Sequence, residues 1–235
     1  MKLLRIINLI MIVLLITATA VHAQKRLIQI GNKAFEAGEY NMAAEKLKKA
    51  YGRANDRSVK AELSYKLGVA YKRMNQPNYA RSWLNRATLY RYPNPLAELY
   101  YAQTLMKLEE YEDAREAFEE YNKLGPDDPR GELGLKSIEK VKEWRESPSR
   151  YLVEEAEVLN SRASDFAPDY AGGPDLLYFT STRESSEGDA LNEVTGKPYT
   201  DIYYSMKDRK GDWSEPVPAR GEVNTEDDEG APCII

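Results

Sequence analysis

The sequence predicts an α + β chain in two parts, stacked helix hairpins followed by short antiparallel strands. Three observations predict it. A pattern of small and large residues recurs three times between residues 24 and 128, at spacings close to 34. Helical periodicity continues through Trp144 and ends at Ser147-Pro148-Ser149. After Tyr151 the apolar residues instead form short runs between clusters of Gly, Pro, Asn and Asp.

Residues 1–23 read as a secretory signal peptide. Lys2 and Arg5 supply a positive start, Ile6 to Ile16 an apolar run broken only by Asn8, and Val21-His22-Ala23 a small-x-small cleavage site. Cleavage there would begin the mature chain near Gln24. A membrane span needs ~20 apolar residues, longer than this run, and no second span follows, so an exported chain without a transmembrane span is expected. No Arg-Arg pair precedes the apolar run, which favours the general secretion route.

Removal of the signal takes His22, the only histidine. Ser-His-Asp and Cys-His catalysis, and metal sites that need imidazole, are thereby excluded. Cys233 is the only cysteine, so no internal disulfide forms; it reads as a small strand residue.

The repeat emerges when Gly31, Gly68 and Ala102 are set in register. Three residues on stand Ala34, Tyr71 and Leu105; twelve on, Ala43, Ala80 and Ala114; sixteen on, Leu47, Leu84 and Phe118. Small residues let two helices cross closely, and large ones fill the space between them. Tyr40, Pro77 and Tyr111 stand at the turns, and Pro93 and Pro126 close the second and third repeats. The first repeat lacks that proline and holds three extra residues near Arg53 to Ser58, which predicts a longer second helix or loop. These positions resemble the tetratricopeptide repeat (TPR) family, with three repeats over residues 24–128. Residues 129–150 read as a capping helix and linker, with Leu133, Leu135, Ile138, Val141 and Trp144 at helical spacing.

Beyond the linker, Leu176 to Thr180 and Ile202 to Met206 read as strands, separated by a polar insertion from Glu184 to Pro198. Asp165-Phe166-Ala167-Pro168 recurs 64 residues later as Glu229-Gly230-Ala231-Pro232. This order resembles one blade of the TolB-like, WD40-like (PD40) periplasmic β-propellers. The resemblance implies that residues 151–235 begin an incomplete propeller of about one blade. A propeller needs at least ~4 blades, so either the chain is truncated or the blade docks on the helical repeats; Pro232-Cys233-Ile234-Ile235 breaks off inside an apolar run, which favours truncation.

A signal, these repeats, and Asn160-Ser161 and Val223-Asn224-Thr225 ahead of the two acidic-x-Ala-Pro motifs together resemble OmpA-family proteins of Bacteroidetes, including PorE-like members associated with type IX secretion. The resemblance implies an exported periplasmic scaffold, associated with the outer membrane and linked indirectly to peptidoglycan. No segment matches the OmpA-like cell-wall domain of that family.

In the family pattern, the first helix of each repeat lines a concave partner-binding groove. Its positions here are Lys25, Ile28, Asn32, Phe35 and Glu36; Glu62, Tyr65, Val69, Lys72 and Arg73; and Leu96, Leu99, Gln103, Met106 and Lys107. The carboxylate clamp of chaperone-binding repeats is not expected, because only Asn32 fits it while Val69, Leu99 and Gln103 stand where further polar or basic groups belong.

Charge divides unevenly. Residues 24–94 hold fifteen Lys and Arg against five Asp and Glu, residues 95–128 three against ten, and residues 151–235 seven against nineteen. The basic block can attract an acidic surface within a screening length of ~8 Å at physiological salt. Nucleic acid is not an expected partner, since no stacking-aromatic motif accompanies the basic residues. Eleven of the seventeen tyrosines lie between residues 40 and 121, where rings fill gaps between helices. Glu226 to Glu229 and Glu184 to Asp189 match no calcium-loop spacing and read as solvated loops. No catalytic, cofactor or metal residues are assigned. The expected function is a non-enzymatic adaptor that binds envelope proteins; the alternatives are a propeller that recognises polysaccharide or cell-wall material and, more remotely, a carboxylate-based hydrolase.

Overall fold

A computed structural model of the protein describes residues 22–147, 150–188 and 191–233. Most of the expected signal, Pro148 and Ser149 of the linker, Asp189 of the first acidic cluster, and Ile234-Ile235 lie outside the described residues. The chain divides into two compact units, one holding the helices and the other the strands.

The helical unit contains α1 (residues 22–37), α2 (Tyr40–Arg53), α3 (Arg57–Arg73), α4 (Pro77–Leu89), α5 (Leu96–Lys107), α6 (Tyr111–Leu124) and α7 (Pro129–Glu146). Three hairpins share one turn. Seven residues after each register position the backbone is left-handed, at Gly38 (φ 83°), Asn75 (φ 56°) and Glu109 (φ 61°). The next amide then donates to the carbonyl five residues back, Glu39 to Ala34, Gln76 to Tyr71 and Glu110 to Leu105, at 2.9–3.0 Å. This is the Schellman closure that satisfies carbonyls at a helix end. Two residues after each left-handed residue the next helix begins, at Tyr40, Pro77 and Tyr111.

Packing follows the small-to-large register. A Cβ added to Gly31 would lie 2.6 Å from Leu47 Cδ2, and one on Gly68 2.5 Å from Leu84 Cγ. Ala102 and Phe118 are the buried equivalents in the third hairpin, and Ala43, Ala80 and Ala114 are wholly buried. The helical unit is thus a solenoid of tetratricopeptide type, with one apolar cluster centred on α2 and α3 and a second on α5 and α6.

One expectation about the helices needs correction. The three extra residues of the first repeat lengthen neither α2 nor its loop; they extend the start of α3, which has 17 residues against 12 in α5. Asp56 caps α3 early, its carboxylate accepting the Val59 amide at 2.9 Å, whereas Pro93 and Pro95 stand where α5 would need the same extension. Helix α7 packs on the last hairpin with only part of the apolar set that its spacing names. Ile138 is buried and Leu135 packs on the second cluster, while Leu133 and Trp144 are 56% and 63% exposed. Gly131 and Gly134 make the close approach, since a Cβ on either would collide with the side chains of α6. Lys136 stands 34 residues after Ala102, where a further hairpin would need a small residue. It is 70% exposed, beside an equally exposed Glu132, so this face of α7 is solvated.

The strand unit is a four-stranded antiparallel meander in the order β1 (Asp165–Tyr170), β2 (Leu176–Ser181), β3 (Asp201–Met206), β4 (Val217–Pro218). The sequence reading found β2 and β3 but not β1, whose Pro168 weakens the strand signal. The structure accommodates Pro168 by an edge position and a bulge between Phe166 and Asp169, with Ala167 at φ 51°. The opposite edge strand carries Pro218. The 64-residue recurrence is physical. Asp165 accepts the amide and hydroxyl of Ser161, both at 2.7 Å, and Glu229 accepts the amide and hydroxyl of Thr225 at 3.1 and 2.6 Å. Among the described residues, no helix is long and apolar enough to cross a membrane.

Candidate protein-binding groove

The odd-numbered helices build one face of the solenoid. Helix α3 packs on α5 and α5 on α7, whereas α2, α4 and α6 stand further from one another, which makes the odd-helix face the concave one. The polar side chains on this face bridge neighbouring helices. Lys66 donates to Asn32 at 2.9 Å and to Glu62 at 2.8 Å, joining α3 to α1. Tyr65 stacks between Tyr92 and Tyr100, with centroids 4.7 and 6.3 Å away. Burial, reinforced by Tyr100 and Tyr92, pushes its hydroxyl up to about 12, so Tyr65 stays neutral. The Lys72 ammonium sits 5.0 Å from the Tyr100 ring centroid.

The groove positions named from the sequence separate into four groups. Lys25, Glu36, Glu62, Lys72, Arg73 and Lys107 are exposed. Asn32, Tyr65, Gln103 and Met106 are half-buried on the inner face. Ile28, Phe35 and Leu96 pack partly on the cores, with Phe35 edge-on to Tyr40 at 5.6 Å. Leu99 is wholly buried and Val69 is 8% exposed, so neither offers a partner a surface. Leu99 belongs to the core cluster shared by α5, α6 and α7. Asn75 and the α7 residues Leu133 and Ser137 line the groove but were absent from the sequence-based set. Asn75 was legible in principle, as the left-handed residue that must follow α3.

Two depressions open on this face. A pocket of about 130 Å³ is bounded by the ends of α3 and α5 and the start of α4, with Lys72, Asn75, Gln103 and Lys107 in its wall. A larger one of about 320 Å³ is lined by Gln103, Met106, Phe118 and Leu133. Partial desolvation lowers the Lys72 ammonium from its ordinary range, with Arg73 and Lys107 adding repulsion.

The acidic loops of the strand unit serve as ties. Asp228 accepts from the Thr200 amide and hydroxyl and from Asn192, at 2.7–3.1 Å, and buried Asp201 accepts the Glu187 amide at 2.8 Å. Among the described residues no three His, Cys, Asp or Glu side chains gather where they could hold a metal ion.

Neither a family model nor a curated protein sequence matches the chain. Solved structures similar to the chain include TPR domains. The first TPR of Spaghetti (RPAP3), bound to the HSP90 peptide SRMEEVD, is 22% identical with a TM-score of 0.46, covering 52% of this chain and 94% of that one. The Sgt2 TPR domain from Aspergillus fumigatus is 20% identical (TM-score 0.45; 57% and 89% covered). The type III secretion chaperone SycD of Yersinia enterocolitica, in complex with a peptide of the translocator YopD, is 17% identical (TM-score 0.44; 50% and 93% covered).

Proposed function

We propose that the protein is a non-enzymatic scaffold whose helical repeats hold extended segments of protein partners along the concave face. The observation that carries this reading is the surface itself. Successive odd helices present polar, aromatic and basic side chains beside a depression with Met106 and Leu133 in its wall, a mixture that suits a peptide's backbone and side chains together. The signal expected at residues 1–23 and the resemblance to OmpA-family proteins support an envelope setting. There the chain would serve a periplasmic, outer-membrane-associated assembly such as type IX secretion, linked to peptidoglycan only indirectly.

Site-specific photo-crosslinking in the cells of origin tests the reading. A crosslinker placed at Gln103 should capture envelope proteins, and one placed at Glu116 on the outer surface of α6 should not. Equal capture at both positions, or retention of carbohydrate without protein, would overturn it.

One observation favours a second reading, a glycan ligand on the strand unit. Exposed Tyr170 and half-buried Trp213, with ring centroids 6.5 Å apart, border a depression of about 350 Å³ that also contains Leu177 and Phe179. Aromatic faces of this kind can stack on sugar rings; binding of soluble cell-wall fragments that is lost in the W213A variant would support it.

A further inference from the structure

We propose that the groove selects an acidic side chain and a nearby apolar side chain of one extended partner segment, the first held by Lys72 and Lys107 and the second by Met106 and Leu133, with Gln103 between them. The proposal rests on the concave face being a protein-binding surface, and it specifies the chemistry that face accepts.

The cationic half is built by two helices. Lys72 lies in the last turn of α3 and Lys107 in the last turn of α5, and both line the smaller pocket. Lys107 donates to Asn75 Oδ1, and Lys72 rests against the Tyr100 ring. The neighbouring cations Lys66, Arg81 and Arg145 are paired with Glu62, Glu110 and Glu109. Among the described residues, Lys72, Arg73 and Lys107 have no carboxylate within ion-pair distance. A cation in the last turn of a helix complements its dipole, which accounts for each lysine taken alone. It does not account for two of them converging, from separate helices, on one pocket with Asn75 and Gln103 in its wall. A carboxylate entering there would meet two ammonium donors and relieve their mutual repulsion.

The apolar half lies one helical turn away. Gln103 lines both depressions, and Met106 and Lys107 follow it by three and four residues, so all three share one face of α5. Leu133, 56% exposed, reaches the same depression from α7. A helical turn rises ~5.4 Å, and same-side residues of an extended strand are ~7 Å apart, so the acidic and apolar residues should be two apart in the partner. The occupant is therefore an acidic-x-apolar segment, read in either chain direction, that presents a side-chain carboxylate.

The test is an array of end-capped pentapeptides Gly-X-Gly-Z-Gly and their reversals, probed with the full-length chain. X is Asp, Glu, Asn or Gln, and Z is Leu, Phe, Ala or Ser. Acidic X should retain at least about fivefold more protein than its amide isostere at ~0.1 M salt, provided that Z is apolar. The K72Q/K107Q variant should lose the acidic preference and keep the apolar one, and L133S should do the reverse. A K48Q/K49Q variant on the outer helix α2 should behave as the parent. The proposal is overturned by equal retention of acid and amide, by an acidic preference that persists in K72Q/K107Q, or by a silent array. Any of these results leaves the crosslinks from Gln103 to decide separately whether the groove binds protein at all.

Discussion

Glu109 holds a backbone conformation that suits glycine. It stands where the first turn has Gly38 and the second Asn75, with φ 61°, and its only compensation is an ion pair to Arg145 at 3.1 Å between two well-exposed side chains. A β-carbon in the left-handed region costs ~1 kcal/mol, more than such a pair returns. We predict that E109G is more stable than E109A by about 1 kcal/mol in urea unfolding, the reverse of the order inside a helix. Glu98 is poised differently. Burial, with Glu120 nearby, pushes its carboxyl up from 4.5 to about 7, so between these values the folded chain keeps a proton that the unfolded chain has lost. Stability should therefore fall as pH rises through that window. The E98Q variant should match the parent below pH 4.5 and exceed it above pH 7, by about 1 kcal/mol after allowance for solvent screening. Residues set by backbone demands were legible from spacing, as with the repeated register of Gly31, Gly68 and Ala102. Leu99 is buried in the cluster that α5 shares with α6 and α7, which the register of α5 alone does not reveal.

At the scale of elements, the hairpin depends on one close approach. Replacing a helical glycine by alanine ordinarily stabilises a helix by ~1 kcal/mol, but Gly68 faces Leu84 at a distance that leaves no room for a methyl group. We predict that G68A destabilises the solenoid by about 1–3 kcal/mol, read from the helical signal in denaturant, and that G68V does so more strongly. A gain on G68A would show that α3 and α4 can separate without cost. The small-large pairs made this packing visible in the sequence, since each pair recurs at a fixed offset. The helix boundaries were less visible. Asp56 and the prolines near Pro93 compete for where the next helix starts, and only their hydrogen bonding decides the outcome. On α7 the apolar spacing names more residues than the contact uses. Leu135 and Ile138 pack on the second cluster while Leu133 and Trp144 stay exposed, and the close approach is made by glycines, which carry no hydrophobic signal.

At the scale of the whole molecule, each unit has a core of its own, and the strand unit is pinned by a side chain that substitutes for strand pairing. Asn224, 7% exposed, accepts the Ile202 amide at 2.8 Å and donates to the Ile202 carbonyl at 3.0 Å. The equivalent Asn160 is exposed. The sequence showed the recurrence of Asn-Ser and Asn-Thr ahead of each acidic-x-Ala-Pro motif, but not what the asparagine does. That role depends on β3 lying 22 residues away in sequence and within hydrogen-bonding distance in space. Loss of both bonds should cost the strand unit about 2–4 kcal/mol in N224A. Hydrogen exchange read by mass spectrometry separates the two units by peptide. Protection should fall across residues 176–206 while α3 to α6 exchange as in the parent. If protection fell in the helices to the same extent, the two units would unfold as one, and the solenoid's stability could no longer be assigned to its register of small and large residues alone.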